Sequence, residues 1–441
     1  MDSRRLAALG LLLAVGLAAC WLVWTTVAHF PEGLIGVGLV VAALYLVWEG
    51  IRRRGVRSRV LLGLAALAAA VAALDLIEAR LVGGLLVGAA LIGFAYWCAR
   101  TVFKWRVRLP AAVRPKRPVV IWNPMSGGGK ALEVNLAQEA RSRGIEPIEL
   151  TDGVDLIELV QKAVADGADA LAAAGGDGTQ AIVAGIAAEH DLPFACIPAG
   201  TRNHFALDLG VDRSDVVGAL DAFVDGGERR VDLGVVNGRV FVNNVSMGLY
   251  AEAVQREEYR GAKLRTILET APSLIGVEDQ TRELTWIGPG GAEHSNAAII
   301  LVSNNSYRIG VRLGAGTRPR MDDGVLGIAV LAGPQQLSPD GESWRVPWRQ
   351  WTSPSFRVDS QGEVPVGVDG EAMMLSAPLD FGLRPKALRV RIAPHHPGIS
   401  PSAALPENFL DGLSMIWRIA RGDEPEAVFA HRPSVKTASG G

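Results

Sequence analysis

Three cysteines in 441 residues, Cys20, Cys98 and Cys196, are too few and too scattered for a disulfide framework or a thiolate metal site. Zinc spacing is missing among the seven histidines as well. His395-His396 is an adjacent pair rather than an i, i+4 pair, and is expected in a solvated loop. Basic and acidic residues nearly cancel, 44 against 46, which leaves no electrostatic case for a nucleic-acid partner. Two common nucleotide motifs are also lacking. A Walker A loop needs Gly-Lys-Ser/Thr, but Gly129-Lys130 is followed by Ala131, and Pro124 stands where the first glycine belongs. A dinucleotide fingerprint begun at Gly127 and Gly129 has Leu132 at its third glycine position.

Charge is what the first hundred residues lack. Leu6 to Ala28, Gly33 to Trp48, Val60 to Leu74 and Leu81 to Ala99 carry none. A membrane helix needs about 20 apolar residues; the first and fourth stretches meet that, and the second and third are shorter. Trp21, Trp24, Trp48, Trp97 and Trp105 sit near stretch ends, as an aromatic belt requires. Arg4-Arg5, the cluster Arg52, Arg53, Arg54, Arg57 and Arg59, and Arg100, Lys104, Arg106 and Arg108 flank them. With all three basic groups inside, the expectation is about four crossings over residues 1–108 and everything later in the cytoplasm. Leu17-Ala18-Ala19-Cys20 resembles a lipoprotein cleavage site, but Trp21-Leu22-Val23-Trp24 continues the apolar run where a polar tether belongs.

Past the basic, proline-rich linker Arg114 to Pro118 the chain alternates. Strands are expected at Val119 to Trp122, Pro147 to Thr151, Ala170 to Ala174 and Pro193 to Pro198. Helices are expected at Ala131 to Arg143, Leu156 to Ala165 and Gln180 to His190. This is a βαβ rhythm, and it predicts an α/β nucleotide-binding domain with a doubly wound parallel sheet over 109–228. Ligands of such sheets bind at the carboxyl ends of the strands. From Val231 the texture turns to strands, opening with an Asn237-Gly238 hairpin signal, so 229–400 is expected as a β-rich sandwich domain closing over the site. Val231 to Val236, Arg239 to Val245, Ala297 to Ser303, Val325 to Leu331, Phe356 to Val358, Val364 to Val368 and Ala387 to Ile392 are its strands, and Tyr250 to Glu269 is helical. Residues 401–441 form a C-terminal helix and tail. In it, Phe409, Leu413, Ile416, Trp417 and Ala420 make one apolar face, expected to dock on the body of the protein, with a membrane-surface contact beside Arg418 and Arg421 as the alternative.

The densest signal is Gly175-Gly176-Asp177-Gly178-Thr179, between an apolar strand and a helix. Each glycine costs an element about 1 kcal/mol relative to alanine, so a cluster needs a local reason. Close approach of an anion to bare backbone N–H groups at a helix start supplies one. Asp177 would repel that anion unless a cation lay between them, so a metal–phosphate pair is implied.

Four motifs in order, Asn123-Pro124-Met125-Ser126-Gly127, Gly175 to Thr179, Pro198-Ala199-Gly200-Thr201-Arg202-Asn203 and Asp369-Gly370-Glu371, resemble the diacylglycerol kinase catalytic-domain family. Bacterial lipid kinases and sphingoid-base kinases belong to that group, with NAD kinases and phosphofructokinases as distant relatives. The resemblance spans about residues 117–395.

It implies ATP and Mg²⁺ as cofactors and a membrane lipid carrying a hydroxyl as substrate. Asn123, Ser126 and Gly127 would line the phosphate end of the pocket, and Thr151 would contact the nucleotide. Gly175, Gly176, Asp177, Gly178, Thr179, Gln180 and Ala181 would wrap the phosphates, with Asp177 acting through Mg²⁺ or water. Thr201 and Asn203 would complete the pocket, and Glu371 would be the general base. Asp323-Gly324 resembles a loop that holds magnesium, shared with the carbonyls of Arg320 and Val325. Two positions depart from the family: His204 and Tyr250 stand where many members carry Asp. The expected enzyme is thus a lipid kinase of phospholipid biosynthesis at the cell membrane, with its catalytic part cytoplasmic. The alternatives are a sphingoid-base or other lipid-alcohol kinase, and a degenerate nucleotide- or lipid-binding regulator. A homodimer is left open.

Overall fold

The computed structural model describes residues 3–28, 106–151, 153–248, 284–295, 297–308, 316–332, 348–404 and 409–423, with isolated positions between 42 and 102. Two compact units divide the chain, one of residues 1–105 with 406–431, the other of 106–405 with 432–441. In the first, α1 (Ser3–Ala28) coincides with the first uncharged stretch. Its described side chains run unbroken only from Arg4 to Cys20, and among the described residues no helix is long and apolar enough to cross a membrane. The expected segments at 33–48, 60–74 and 81–99 lie outside the described residues apart from those isolated positions.

The second unit is built on two sheets. β1 (Pro118–Trp122), β2 (Glu146–Glu149), β3 (Ala170–Ala174) and β4 (Pro193–Ile197) pair in parallel in the order β2-β1-β3-β4. β1, β3 and β4 are buried at every residue. Helices cover such strands on both faces, which is why they read as unbroken apolar runs. α2 (Lys130–Glu133) and α3 (Leu136–Ser142) replace the single expected helix, because Asn135 adopts φ 50° between them. α4 (Leu156–Ala165) is capped by Asp155, whose carboxylate accepts from the amides of Ile157 and Glu158. α5 (Asp177–Glu189) begins three residues before its expected start, taking Asp177, Gly178 and Thr179 into its first turn. α6 (His204–Leu209) follows β4.

The sheet is not purely parallel. β5 (Gly227–Val236) and β6 (Arg239–Phe241) form the expected hairpin, with Asn237 and Gly238 both at positive φ, as a two-residue type I′ turn requires. β7 (Asn244–Gly248) is a separate strand, so the expected Arg239 to Val245 strand breaks at 242–243. β8 (Thr285–Ile287) and β9 (Glu293–His294) precede β10 (Ala297–Asn304), β11 (Leu326–Ala332), β12 (Trp348–Ser353), β13 (Phe356–Asp359), β14 (Glu363–Val368), β15 (Glu371–Ser376) and β16 (Leu379–Ile392). β16 is the strand that makes the sheet mixed: it lies parallel to β4 through Arg389 to Arg391 and antiparallel to β5 and β13.

The second sheet, β12-β11-β10-β7-β14-β15, is antiparallel throughout. Phe241, Trp286, Phe356, Val358 and Phe381 of the first sheet share one core with Met247, Ile300, Ile328 and Val366 of the second, which is the expected sandwich. The predicted helix from Tyr250 to Glu269 lies outside the described residues.

After the short helix α7 (Pro401–Ala404) comes α8 (Phe409–Arg421). It buries Met415, Ile416, Ile419 and Ala420 and leaves Leu413 and Trp417 exposed. It groups with the N-terminal unit instead of the expected body, and Arg5 donates through Nε to the Ala420 carbonyl at 3.0 Å. That bond satisfies a carbonyl left open at the helix end.

Candidate active site

Three loops leave the carboxyl ends of β1, β3 and β4, and glycines let them touch. Asn123 starts the first, accepting the Met125 amide through Oδ1 at 2.9 Å and the Ser126 amide through its carbonyl at 3.2 Å. Gly127, Gly128 and Gly129 follow at φ 60°, 76° and 91°, in the left-handed region. A methyl on Gly127 would overlap the Ala199 carbonyl, and one on Gly200 would stand 2.6 Å from Gly176 Cα. The first loop is therefore pressed against the third, and the third against the second. Gly175 sits under the Thr179 side chain, where a Cβ would come within 2.9 Å. Gly176 is different. Its φ is −77° and a Cβ there meets nothing within 4 Å, so neither strain nor packing explains the glycine. Open space over bare backbone at the start of α5 suits the phosphates of a nucleotide.

The expected nucleotide residues converge here, though several use their side chains to build the loops. Asn203, at φ 49° and buried, donates through Nδ2 to the carbonyls of Pro198 and Gly200 at 2.9 and 2.7 Å. Gln180, also buried, donates to the carbonyls of Ala173 and Ile197 at 2.7 and 3.0 Å, tying β3 to β4. Ala181 is buried beside it. Thr201 and Thr151 are exposed, Thr151 just past β2. Asp177 accepts from the backbone amides of His204 and Phe205 at 3.3 and 3.2 Å, holding the start of α6. His204 itself is shifted below the usual imidazole range by burial, which the Asp177 and Asp208 charges oppose.

Glu371 arrives from the other sheet. Asp369 and Gly370, at φ 50° and 90°, are the two-residue turn joining β14 to β15, with Val368 opposite Glu371. The half-buried Asp369 carboxylate accepts the amides of Val242, Asn243 and Asn244 at 2.9, 2.7 and 3.1 Å. Burial pushes it up to about 7 against the pull of those amides, with the Asp177 charge adding to the rise. This anchor brings the Glu371 carboxylate against Gly178, where a Cβ would overlap it. An exposed carboxylate beside the first turn of a glycine-opened helix is chemically able to accept a proton from a group brought to the loop.

Around the expected metal loop, Arg320 pairs through Nε with Asp322 at 3.1 Å and Asp323 at 2.9 Å. Burial raises Asp323, the Arg320 charge opposes the rise, and the charges of Asp322 and Asp232 add to it. Among the described residues these carboxylates do not lie close enough together to form a metal-holding group, and the cation that Asp322 and Asp323 meet is the Arg320 guanidinium. Arg320 here meets that charge with its side chain, and the Val325 carbonyl accepts weakly from Asn305 at 3.5 Å.

Three anchors escaped the sequence reading. Asp232, in β5 between Val231 and Leu233, is buried and accepts the amides of Gly324 and Lys386, both at 2.7 Å. An acid in an apolar strand was the available signal. Asp208 and Arg318, a buried ion pair with Nε–Oδ2 2.7 Å, had none.

Residues 117–236 match the diacylglycerol kinase catalytic domain. A protein of Bacillus subtilis named diacylglycerol kinase is 34% identical over 37% of this chain and 55% of its own length. A "probable lipid kinase YegS-like" protein of Pseudomonas fluorescens is 29% identical over 60% of this chain and 92% of its own. The chain thus spans about half the length of the first relative and nearly all of the second. A solved diacylglycerol kinase structure from Bacillus anthracis str. Sterne is 19% identical and covers 64% of this chain and 98% of its own, with a TM-score of 0.45. The matched segment contains the first three motifs of the site; Glu371 lies beyond it.

His395 and His396 lie in a loop that is solvated only in part, with His395 half-buried. His396 is buried, and both rings place Nε2 3.2 Å from Asp215 Oδ2, the one His/Asp group among the described residues close enough to hold a metal. The backbone amide of Asp212 donates to His396 Nδ1 at 3.2 Å. An N–H cannot accept, so Nδ1 carries the lone pair and Nε2 the proton. That tautomer donates to Asp215 and leaves His396 without a nitrogen to offer a metal.

Proposed function

We propose that this chain is an ATP-dependent lipid kinase that transfers the γ-phosphate to a hydroxyl of diacylglycerol or a related membrane lipid. The observation that carries the reading is the Glu371 carboxylate packed against Gly178 of the glycine loop. The names of the relatives support the class of substrate. Phosphoryl transfer is mostly positioning and charge neutralisation, so a site made of backbone amides and one well-placed carboxylate is sufficient machinery. Gly127, Gly176, Gly178 and Thr179 would present N–H groups to the phosphates, with Asn123, Thr151 and Thr201 at the rim. Mg²⁺, when bound, would neutralise phosphate charge, and Asp323 with the carbonyls of Arg320 and Val325 would hold it. Glu371 takes the proton from the attacking lipid hydroxyl, because its carboxylate faces the loop from the opposite sheet.

The uncharged stretches before residue 100 and the exposed Leu6, Leu9, Leu13 and Leu17 of α1 support a membrane location for the N-terminal unit. Tethering at the bilayer raises the effective concentration of a substrate that never leaves it. The basic groups support a cytoplasmic catalytic unit, where ATP is supplied. Membranes containing the protein, given γ-labelled ATP and a total lipid extract, should yield a labelled phospholipid whose identity names the substrate. Absence of any labelled lipid with every lipid class overturns the reading.

A further inference from the structure

Among the described residues Arg318 is one of the largest fully buried side chains. Its Nε donates to Asp208 Oδ2 at 2.7 Å, Nη1 to the carbonyls of Val242 and Asn304 at 2.6 and 2.8 Å, and Nη2 to Asn243 Oδ1 at 2.9 Å. The guanidinium lies over the Tyr307 ring, 5.2 Å from its centroid, and the Arg318 amide donates to Asp208 Oδ1 at 3.0 Å. Three of these partners, Asp208, Val242 and Asn243, belong to segments that lead to the site. Asp208 is in α6, whose first amides are held by Asp177 of the glycine loop. Val242 and Asn243 carry amides that hold Asp369, two residues before Glu371. Glu371 returns to Gly178, next to Asp177. The contacts close a ring from the phosphate loop, through α6, Asp208, Arg318, the 242–243 segment and Asp369, back to the phosphate loop.

We propose that Arg318, paired with Asp208, is a positioning residue that fixes where the Glu371 hairpin stands relative to the glycine loop. The proposal rests on the kinase reading above. A buried ion pair is a poor device for stability, since desolvation offsets most of its attraction. It is a good device for register, because a planar fork bound to four acceptors tolerates one arrangement only. Glu371 sits on one sheet and Gly178 on a helix of the other, so something must set their separation. Arg318 bonds α6 directly to the 242–243 segment, the two neighbours through which the glycine loop and the Glu371 hairpin are held, where hydrophobic packing alone would leave that separation adjustable.

The test is the double variant Arg318→Met/Asp208→Asn, which removes both charges together, alongside Arg318→Lys, which keeps the charge but cannot span four acceptors. The expected result is a folded protein with ADP affinity within a few-fold of wild type and turnover lowered by about tenfold to a hundredfold, the scale of a misplacement near 1 Å. Amide exchange at 204–205 and at 369–372 should quicken together in both variants. Folded variants with wild-type turnover overturn the proposal, as does faster exchange confined to one of the two segments. Should wild type phosphorylate no lipid, the kinase reading fails, and paired or unpaired exchange still decides the coupling.

Discussion

The Glu371 carboxylate occupies the space that a side chain on Gly178 would need. Gly178 is the second residue of α5 and has no positive φ, so the helix itself would accept alanine and gain up to about 1 kcal/mol. The obstacle is the end of a flexible side chain, which moves at little cost. Gly178→Ala is therefore expected to leave the melting temperature unchanged or raised while lowering turnover by about tenfold or more. Thermal melts and initial rates on the same preparation check it. Unchanged turnover would mean that Glu371 does not act from this position.

Gly200 makes the opposite case. A methyl there meets backbone, Gly176 Cα at 2.6 Å and the Gly175 carbonyl at 3.0 Å, and backbone cannot swing aside. Gly200→Ala should cost roughly 1–3 kcal/mol of stability, the usual penalty for overpacking, and weaken ADP binding as the two loops part. Urea melts and ADP titration would show both losses. Full ADP affinity in the variant would detach the 198–203 loop from the nucleotide.

Acid sensitivity follows from His396. Burial holds its imidazole below the ordinary value, opposed by its hydrogen bond to Asp215, while His395 adds to the lowering and the Asp215 and Asp212 charges resist it. The folded state thus binds this proton less readily than the unfolded chain, so stability is present above the unfolded value of about 6.5 and is lost as pH falls below it. A proton on Nδ1 would also face the Asp212 amide head-on. Wild type is expected to lose stability between pH 7 and pH 5 more steeply than His396→Gln. Equal slopes would remove His396 from the account.

The α/β half was legible because its parallel strands are buried on both faces. Ala170 to Ala174 and Pro193 to Ile197 announce themselves as apolar runs, and the glycines at 127, 175 and 176 mark where those runs end. β16 was legible only in part. Its pairing with β4 joins Arg389 to Pro193 across nearly two hundred residues, and nothing local in Arg-Val-Arg specifies a parallel neighbour. β15 is less legible because Asp369-Gly370 is at once a chemical motif and an ordinary two-residue hairpin signal. Buried charges were the hardest. Asp208 and Arg318 look like any surface acid or base until the chain folds, since they lie 110 residues apart.

Glu371→Gln tests the central claim most directly. Glutamine keeps the size and hydrogen bonding of the side chain and removes only the group that takes the lipid hydroxyl's proton. With γ-labelled ATP and the phosphorylated lipid as readout, turnover should fall by about 10²–10⁴-fold, with ADP affinity nearly that of wild type because the glycine loops are untouched. Turnover that survives, or turnover and ADP binding that collapse together, would contradict it.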